Sequence, residues 1–186
     1  MPRRPALVIG LILAASLLGI LNSGGYRYGV SDQAFYLPAV IQHLDGSLFP
    51  RDRALLHAQD RFMLFDDVAA ALVKTARLPV PLLFCALFLV GLIVHFSGCV
   101  ELGRLWYRSW WSVAALMFIL TLRHRITFTG ANTLEGYLHP RTLAFAVGVW
   151  SVVAFMRGQP VLALALVAVA GAWHPTTALW FALWIG

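Results

Sequence analysis

Two short stretches hold most of the residues whose types and spacing could do chemistry. The first is Tyr28-Gly29-Val30-Ser31-Asp32-Gln33-Ala34-Phe35-Tyr36, where a single carboxylate stands among aromatics. A partly desolvated Asp32 would suit the role of base toward a hydroxyl. The plainer reading is that Asp32 only favours the N-terminus of its own helix, with Ser31 as the cap. The second is a repeat, Gly136-Tyr137-Leu138-His139-Pro140-Arg141-Thr142 and Gly171-Ala172-Trp173-His174-Pro175-Thr176-Thr177, thirty-five positions apart. Each copy opens an apolar run. Proline fits the first turn of a helix, whose N–H groups have no partner anyway. Two such N-termini facing one side outline an anion site. His139, Arg141 and His174 would hold a phosphate, with Arg123 or Arg125 assisting through the bidentate geometry a guanidinium offers. Glu135 is a second acid beside them. The plainer reading is that His-Pro simply starts a helix at a boundary and that the echo is chance.

Other polar residues read as less active. Asp66 and Asp67 are neighbours on a helix, so they diverge by about 100° and would not face one metal together. They read as solvated, as do His57, Asp60 and Arg61. His43 and His95 read as lone histidines without a visible partner. A zinc site from the histidines is the weaker reading, because no close ligand pairs occur. Cys85 and Cys99 lie fourteen positions apart on or beside one apolar segment. On a helix that places them roughly 20 Å apart, against the ~7 Å a disulfide needs. No phosphate-binding glycine loop, Ser-His-Asp order or zinc-protease helix motif occurs. Gly91 and Gly98 read as close-packing or boundary positions.

These residues must be positioned by elements suited to lipid. Of 186 residues, 60% are hydrophobic and 12% charged, with seven Trp and twelve Phe. A soluble domain would carry roughly twice that charge. The net charge of +6 does not call for nucleic acid, since basic residues also flank spans and meet lipid phosphates. No basic stripe interleaved with aromatics occurs.

The pattern predicts an all-α, polytopic transmembrane helical bundle as a single membrane domain. Spans are expected at about 6–21, 79–98, 109–122, 140–156 and 161–173, with a sixth beginning at 175–186. The alternative for 161–186 is one helix kinked at Pro175, which would put His174 at mid-membrane. Outer loops are expected at about 22–78 and 123–139, and a short inner loop at 101–108. The first outer loop should carry amphipathic surface helices at 32–44 and 65–77. Trp106, Tyr107, Trp110 and Trp111 suit an interfacial belt. The first run reads as a retained signal anchor, because no clean small-x-small cleavage site follows it. The apolar run at Ile185-Gly186 reads as the end of a truncated N-terminal part.

Arg3 and Arg4 place the N-terminus inside, in a cytoplasmic membrane. Basic residues total five on the proposed inner side and nine outside. The inner loops are very short, however, and long loops count less in the rule.

In layout, and in the Asp32 stretch, the chain resembles the GT-C superfamily of membrane glycosyltransferases, which use polyprenyl-phosphate sugars. Asp32 matches the family's first acid in the first outer loop, and Tyr36 its following aromatic. Gln33 departs from the second acid, which puts a two-carboxylate metal site in doubt. The resemblance implies transfer of a sugar from a polyprenyl-phosphate donor at the outer face, with inversion and with Asp32 as base or metal ligand. No cofactor is demanded by the residues; a divalent metal is left open. The expected partners are the bilayer and the lipid-linked sugar, with the acceptor undefined. Two other readings stand beside this one: a transporter or flippase for a lipid-linked or anionic substrate, and a non-catalytic membrane scaffold.

Overall fold

The computed structural model describes residues 4–58, 60–125 and 132–186. Arg3, counted above among the inner charges, lies outside them, as does 126–131 of the expected second outer loop. The chain is all-helical, with 72% of it in helix and no strand among the described residues. In order the helices are α1 Pro5–Asn22, α2 Gln33–Leu44, α3 Arg53–Leu56, α4 Phe65–Ala76, α5 Val80–Trp106, α6 Trp110–Leu120, α7 Pro140–Met156, α8 Pro160–Trp173 and α9 Pro175–Ile185.

Helix starts follow proline chemistry. α1, α5, α7, α8 and α9 each carry Pro at the first or second position, where its missing N–H costs nothing and its fixed φ is already helical. Proline also drives the preceding residue out of the helical region. His139 and His174 are accordingly extended, at φ −133° and −159°.

Helix lengths bear out two of the expected spans as long enough to cross a membrane and leave the other four short of it. α1 and α5, at 18 and 27 residues, are long and apolar enough to cross a membrane. The four apolar helices α6 to α9 are shorter, at 11, 17, 14 and 11 residues. The expected inner loop at 101–108 is instead helix as far as Trp106. An i,i+3 pair between Glu101 and Arg104, extended by Arg157, satisfies the charges there without unwinding the backbone.

The bundle alternates in direction. α5 and α7 run parallel, with Gly91 against Leu143 and Gly98 against Val149 and Trp150. α8 ends at Trp173, and α9 starts two residues later and doubles back, so that Gly171 and Ala170 meet Ala178. Phe181 of α9 lies directly over Gly148 of α7. The single kinked helix considered for 161–186 is therefore not what forms. The extended His174 reverses the chain instead.

The two ends of the bundle differ. One gathers Arg4, Glu101, Arg104 and Arg157 around a shared opening. The other gathers the end of α1, the end of α6, the α2–α4 segment, and the starts of α7 and α9. There, Asn22 donates to the carbonyl and hydroxyl of Thr121 at 3.1 and 3.2 Å. α2 is more enclosed than a surface helix. It buries Tyr36, Leu37, Ala39 and Val40 in the core with Phe65 and Ala69 of α4 and Phe84 of α5. The expected Ser31 cap does not form; Ser31 takes a positive φ of 52° and the cap position falls to Asp32.

Candidate functional site

The site is built where two loops dock. The backbone N–H of Arg27 donates to the carbonyl of Gly136 at 2.6 Å. Gly136 is pressed so closely on Gly25 and Ser23 that a Cβ would overlap the Gly25 carbonyl. Gln33 completes the join. Its side-chain oxygen accepts from the Gly29 N–H at 2.7 Å, and its amide donates to the Leu138 carbonyl at 3.0 Å. Gln33 is fully buried. It does at this position what no carboxylate can, because it donates as well as accepts.

Docking brings Asp32 to the repeat. Asp32 makes no side-chain cap to its own helix. Instead, its Oδ2 lies 3.1 Å from His139 Nε2 and accepts from the Tyr137 hydroxyl at 3.4 Å. His139 Nδ1 accepts from the Arg141 N–H at 2.9 Å, capping α7. With Nδ1 an acceptor, the proton of the neutral ring must be on Nε2, pointing at Asp32. Burial, then the Arg141 charge and His174, hold the His139 pKa down to about 3. The contact is thus the close approach of a neutral ring to the Asp32 side chain rather than an ion pair, and His139 is a positioning group rather than a base. Burial raises Tyr137 to about 12, which keeps its hydroxyl protonated and donating. Oδ1 of Asp32 has no hydrogen bond among the described residues, and about half of the side chain is exposed.

His174 repeats the capping chemistry. Its Nδ1 accepts from the Thr177 N–H at 3.3 Å, with the hydroxyls of Thr176 and Thr177 at 3.1 and 2.9 Å. Burial first, then Arg141, lowers its pKa. The His139 and His174 rings meet edge to face, 5.8 Å apart. Both plain readings of His-Pro as a helix start are thus met, and the two starts are also neighbours in space. Arg141 pairs with the buried Glu135 at 3.2 Å, and Glu135 accepts from the Asn132 N–H at 2.9 Å. Tyr36 packs its edge on His139 at 5.2 Å, and burial pushes its own pKa up to about 12. Arg123 and Arg125 sit exposed on the arm of the loop that bridges from Arg125 to Asn132. The contacts that assemble the group run through Asp32, Tyr137, His139, Arg141, Glu135 and His174.

Arg141 and His174 border a cavity of about 560 Å³. Its other walls are Phe145, Val149 and Val152 of α7, Trp180, Phe181 and Trp184 of α9, and Leu102 and Trp106 from the far end of α5. One end is therefore cationic and hydrogen-bonding, and the remainder is an apolar trough. The spacing of the repeat suggested the polar end. The trough depends on α9 folding back, which no local pattern encodes. Tyr137 stands two residues before His139, but the bend at 136–137 that turns both toward Asp32 has no signal in the local pattern.

A two-carboxylate metal centre at Asp32 is not assembled among the described residues, since Gln33 turns inward and Glu135 is held by Arg141. Carboxylates and imidazoles gather elsewhere. His43, which read as partnerless, has Nδ1 3.3 Å from Asp67 Oδ1 and Nε2 3.4 Å from Asp60 Oδ2. His57 and Asp60, which read as solvated, bond each other through Nδ1 and Oδ2. Asp66 is buried rather than solvated, and burial first, then Asp60 and Asp67, raise its pKa to about 7. The helix α4 turns Asp66 inward and Asp67 outward, and tertiary packing decides which face is covered. His95 also has a neighbour, Cys99 Sγ at 3.7 Å one turn on. No family model, curated protein or solved structure matches this chain.

Proposed function

We propose that this chain is a polytopic membrane protein of glycosyltransferase type, which binds a polyprenyl-phosphate sugar with its phosphate at Arg141 and His174. The observation that carries this reading is the cavity of about 560 Å³, polar at the Arg141–His174 end and apolar along α7 and α9. Its size falls in the range typical of ligand pockets, roughly 300–1,000 Å³. A charged head with a long hydrocarbon chain is the ligand that satisfies both ends. The starts of α7 and α9 add the partial positive charge of helix N-termini near the head.

Membrane embedding is supported by where the apolar surface lies. Only 17% of the apolar window of α1 and 39% of that of α5 is buried inside the protein. Val161, Leu164, Trp180, Leu183 and Trp184 are also exposed. Hydrocarbon would cover these faces without cost. With Arg4, Arg104 and Arg157 at one end, the positive-inside tendency puts that end in the cytoplasm and the Asp32 group outside.

In this reading Asp32 is the base. An acceptor hydroxyl attacks C1 of the sugar from the side opposite the phosphate. The C1–O bond to phosphate breaks, the phosphate leaves on its lipid, and the hydroxyl proton passes to Asp32 Oδ1. Inversion at C1 follows from a single displacement. His139 and Tyr137 hold Oδ2 so that Oδ1 faces the acceptor.

The test is binding before turnover. The chain in detergent would be titrated with a polyprenyl phosphate, following fluorescence of Trp106, Trp180 and Trp184 at the cavity wall. Saturable binding that weakens on Arg141→Lys and Phe181→Ala supports the reading. Equal response to a polyprenol without phosphate removes the phosphate role and with it this proposal.

A further inference from the structure

A second constellation lies outside the Asp32 group, in the segment joining α2 to α4. His43 stands in the last turn of α2, His57 ends the four-residue α3, Asp60 follows in the next turn, and Asp67 stands in the first turn of α4. One ligand atom from each of His43, His57 and Asp60 lies within 4.8 Å of the others. We propose that His43 Nε2, His57 Nδ1 and Asp60 Oδ2 form a binding site for one divalent transition-metal ion of zinc's type.

The donor set fits the ion. Two imidazoles and one carboxylate are ligands that zinc and its neighbours accept, and calcium or magnesium would ask for more oxygens. A tetrahedral centre with bonds of about 2.0–2.1 Å sets its ligands about 3.3 Å apart. His43 Nε2 and Asp60 Oδ2 are already 3.4 Å apart. His57 and Asp60 are closer than that and would part slightly to admit the ion.

The tautomer is also set. Asp67 Oδ1 lies 3.3 Å from His43 Nδ1, so that with Nε2 on the ion the proton of the neutral ring, on Nδ1, would be beside a carboxylate. The lone pair of Nε2 then points into the cluster. A carboxylate behind a ligating histidine is a recurring outer partner of metal sites. Consistent with this aim, His43 Nε2 is buried and makes no hydrogen bond of proper geometry.

A further observation comes from Asp66. The residue is only 2% exposed, and its Oδ1 is buried with no hydrogen-bond partner. It lies near enough to feel the charges of Asp60, Asp67 and His57. Buried carboxylate oxygens without a partner are expensive. A cation on His43, His57 and Asp60 would offset that cost. The fourth position falls to water.

The ion would also account for the order of this segment. Between α2 and α4 the chain buries few apolar side chains, Leu56 and Met63 among them. A four-residue helix cannot hold itself. Ligands drawn from the end of α2, the end of α3 and the following turn would staple the three together. None of these residues belongs to the Asp32–His139 group, so the site stands or falls apart from the transferase reading.

The experiment uses the full chain, purified in detergent with a tag free of histidine. Metal content would be measured after purification, after chelation, and during re-titration with Zn²⁺, with Co²⁺ as a spectroscopic stand-in. The expected result is one equivalent of Zn²⁺ per chain and visible Co²⁺ bands of four-coordinate intensity. His43→Ala and His57→Ala should each lower affinity at least 100-fold, Asp67→Asn should lower it about tenfold, and Asp32→Asn should leave it unchanged. The Co²⁺ spectrum of the unaltered chain guards against variants that fail to fold. If the unaltered chain takes up no stoichiometric metal, or takes it up equally after both histidines are removed, the proposal is overturned and the cluster is a hydrogen-bonded network only.

Discussion

His139 sets its Nε2 3.1 Å from Oδ2 of Asp32, while its Nδ1 caps the helix that follows it. One ring thereby ties the start of α7 to the carboxylate at the start of α2. Because Nδ1 is occupied by the Arg141 N–H and Nε2 carries the proton of the neutral ring, the histidine sits beside the acid and does not itself accept a proton from substrate.

Asp32→Asn should abolish most transfer while leaving the fold intact. The amide oxygen can still accept from Tyr137, but it cannot take a proton. Loss of a general base costs about 100-fold or more in rate. Transfer assays with matched thermal unfolding would check this; a variant with full activity would leave Asp32 a structural residue.

His139 should make stability depend on pH. Its folded pKa of about 3 lies below the ordinary 6.5. Above pH 6.5 neither state binds the proton, so the contribution is fully present. Between 6.5 and 3 the unfolded chain binds a proton that the folded chain refuses, and stability falls by about 1.4 kcal/mol per pH unit. Asp66, whose pKa is raised, slopes the opposite way over an overlapping range. The quantity to measure is therefore the difference between the unaltered chain and His139→Gln from pH 7 to pH 5. That difference should shrink as pH falls.

Gln33→Glu should destabilise the protein rather than create a metal site. The buried amide donates to the Leu138 carbonyl, and a carboxylate would face that carbonyl with no proton to give. The expected cost is about 1–3 kcal/mol. Thermal unfolding should show a lower midpoint, with no rescue by added divalent metal.

Gly148→Val should close the cavity by displacing α9. The new side chain would occupy the space of the Phe181 ring. Overpacking of this kind costs about 1–3 kcal/mol. Polyprenyl-phosphate titration should show the larger effect, with binding lost while α1 to α7 keep their helical content by circular dichroism.

Gly136→Ala should uncouple the two loops. A Cβ has no room beside the Gly25 carbonyl, so the 132–139 arm would lift from the 22–29 turn. Asp32 would then lose Tyr137 and His139 together. Activity should fall about as far as in Asp32→Asn, although the carboxylate is still present.

The sequence by itself determined the helical class, the places where helices begin, and the residues that crowd the helix starts. These features are local. An apolar run, a proline in the first turn and the extended residue before it depend on neighbours within a few positions. The same locality made His139 and His174 legible as helix starts. What needed the tertiary structure was every pairing between distant segments. Asp32 meets His139 only because Gly136 lets one loop lie on another and Gln33 bonds across the join. The apolar trough exists only because α9 reverses at His174 and lays Phe181 on Gly148. His57, Asp60 and Asp67 looked solvated and His43 partnerless one at a time, since each stands on a different element. Asp66 and Asp67 were told apart only by which side of α4 the core covered. Local backbone chemistry acts over one helical turn, whereas burial and charge pairing are set by whatever else the folded chain brings within a few ångströms.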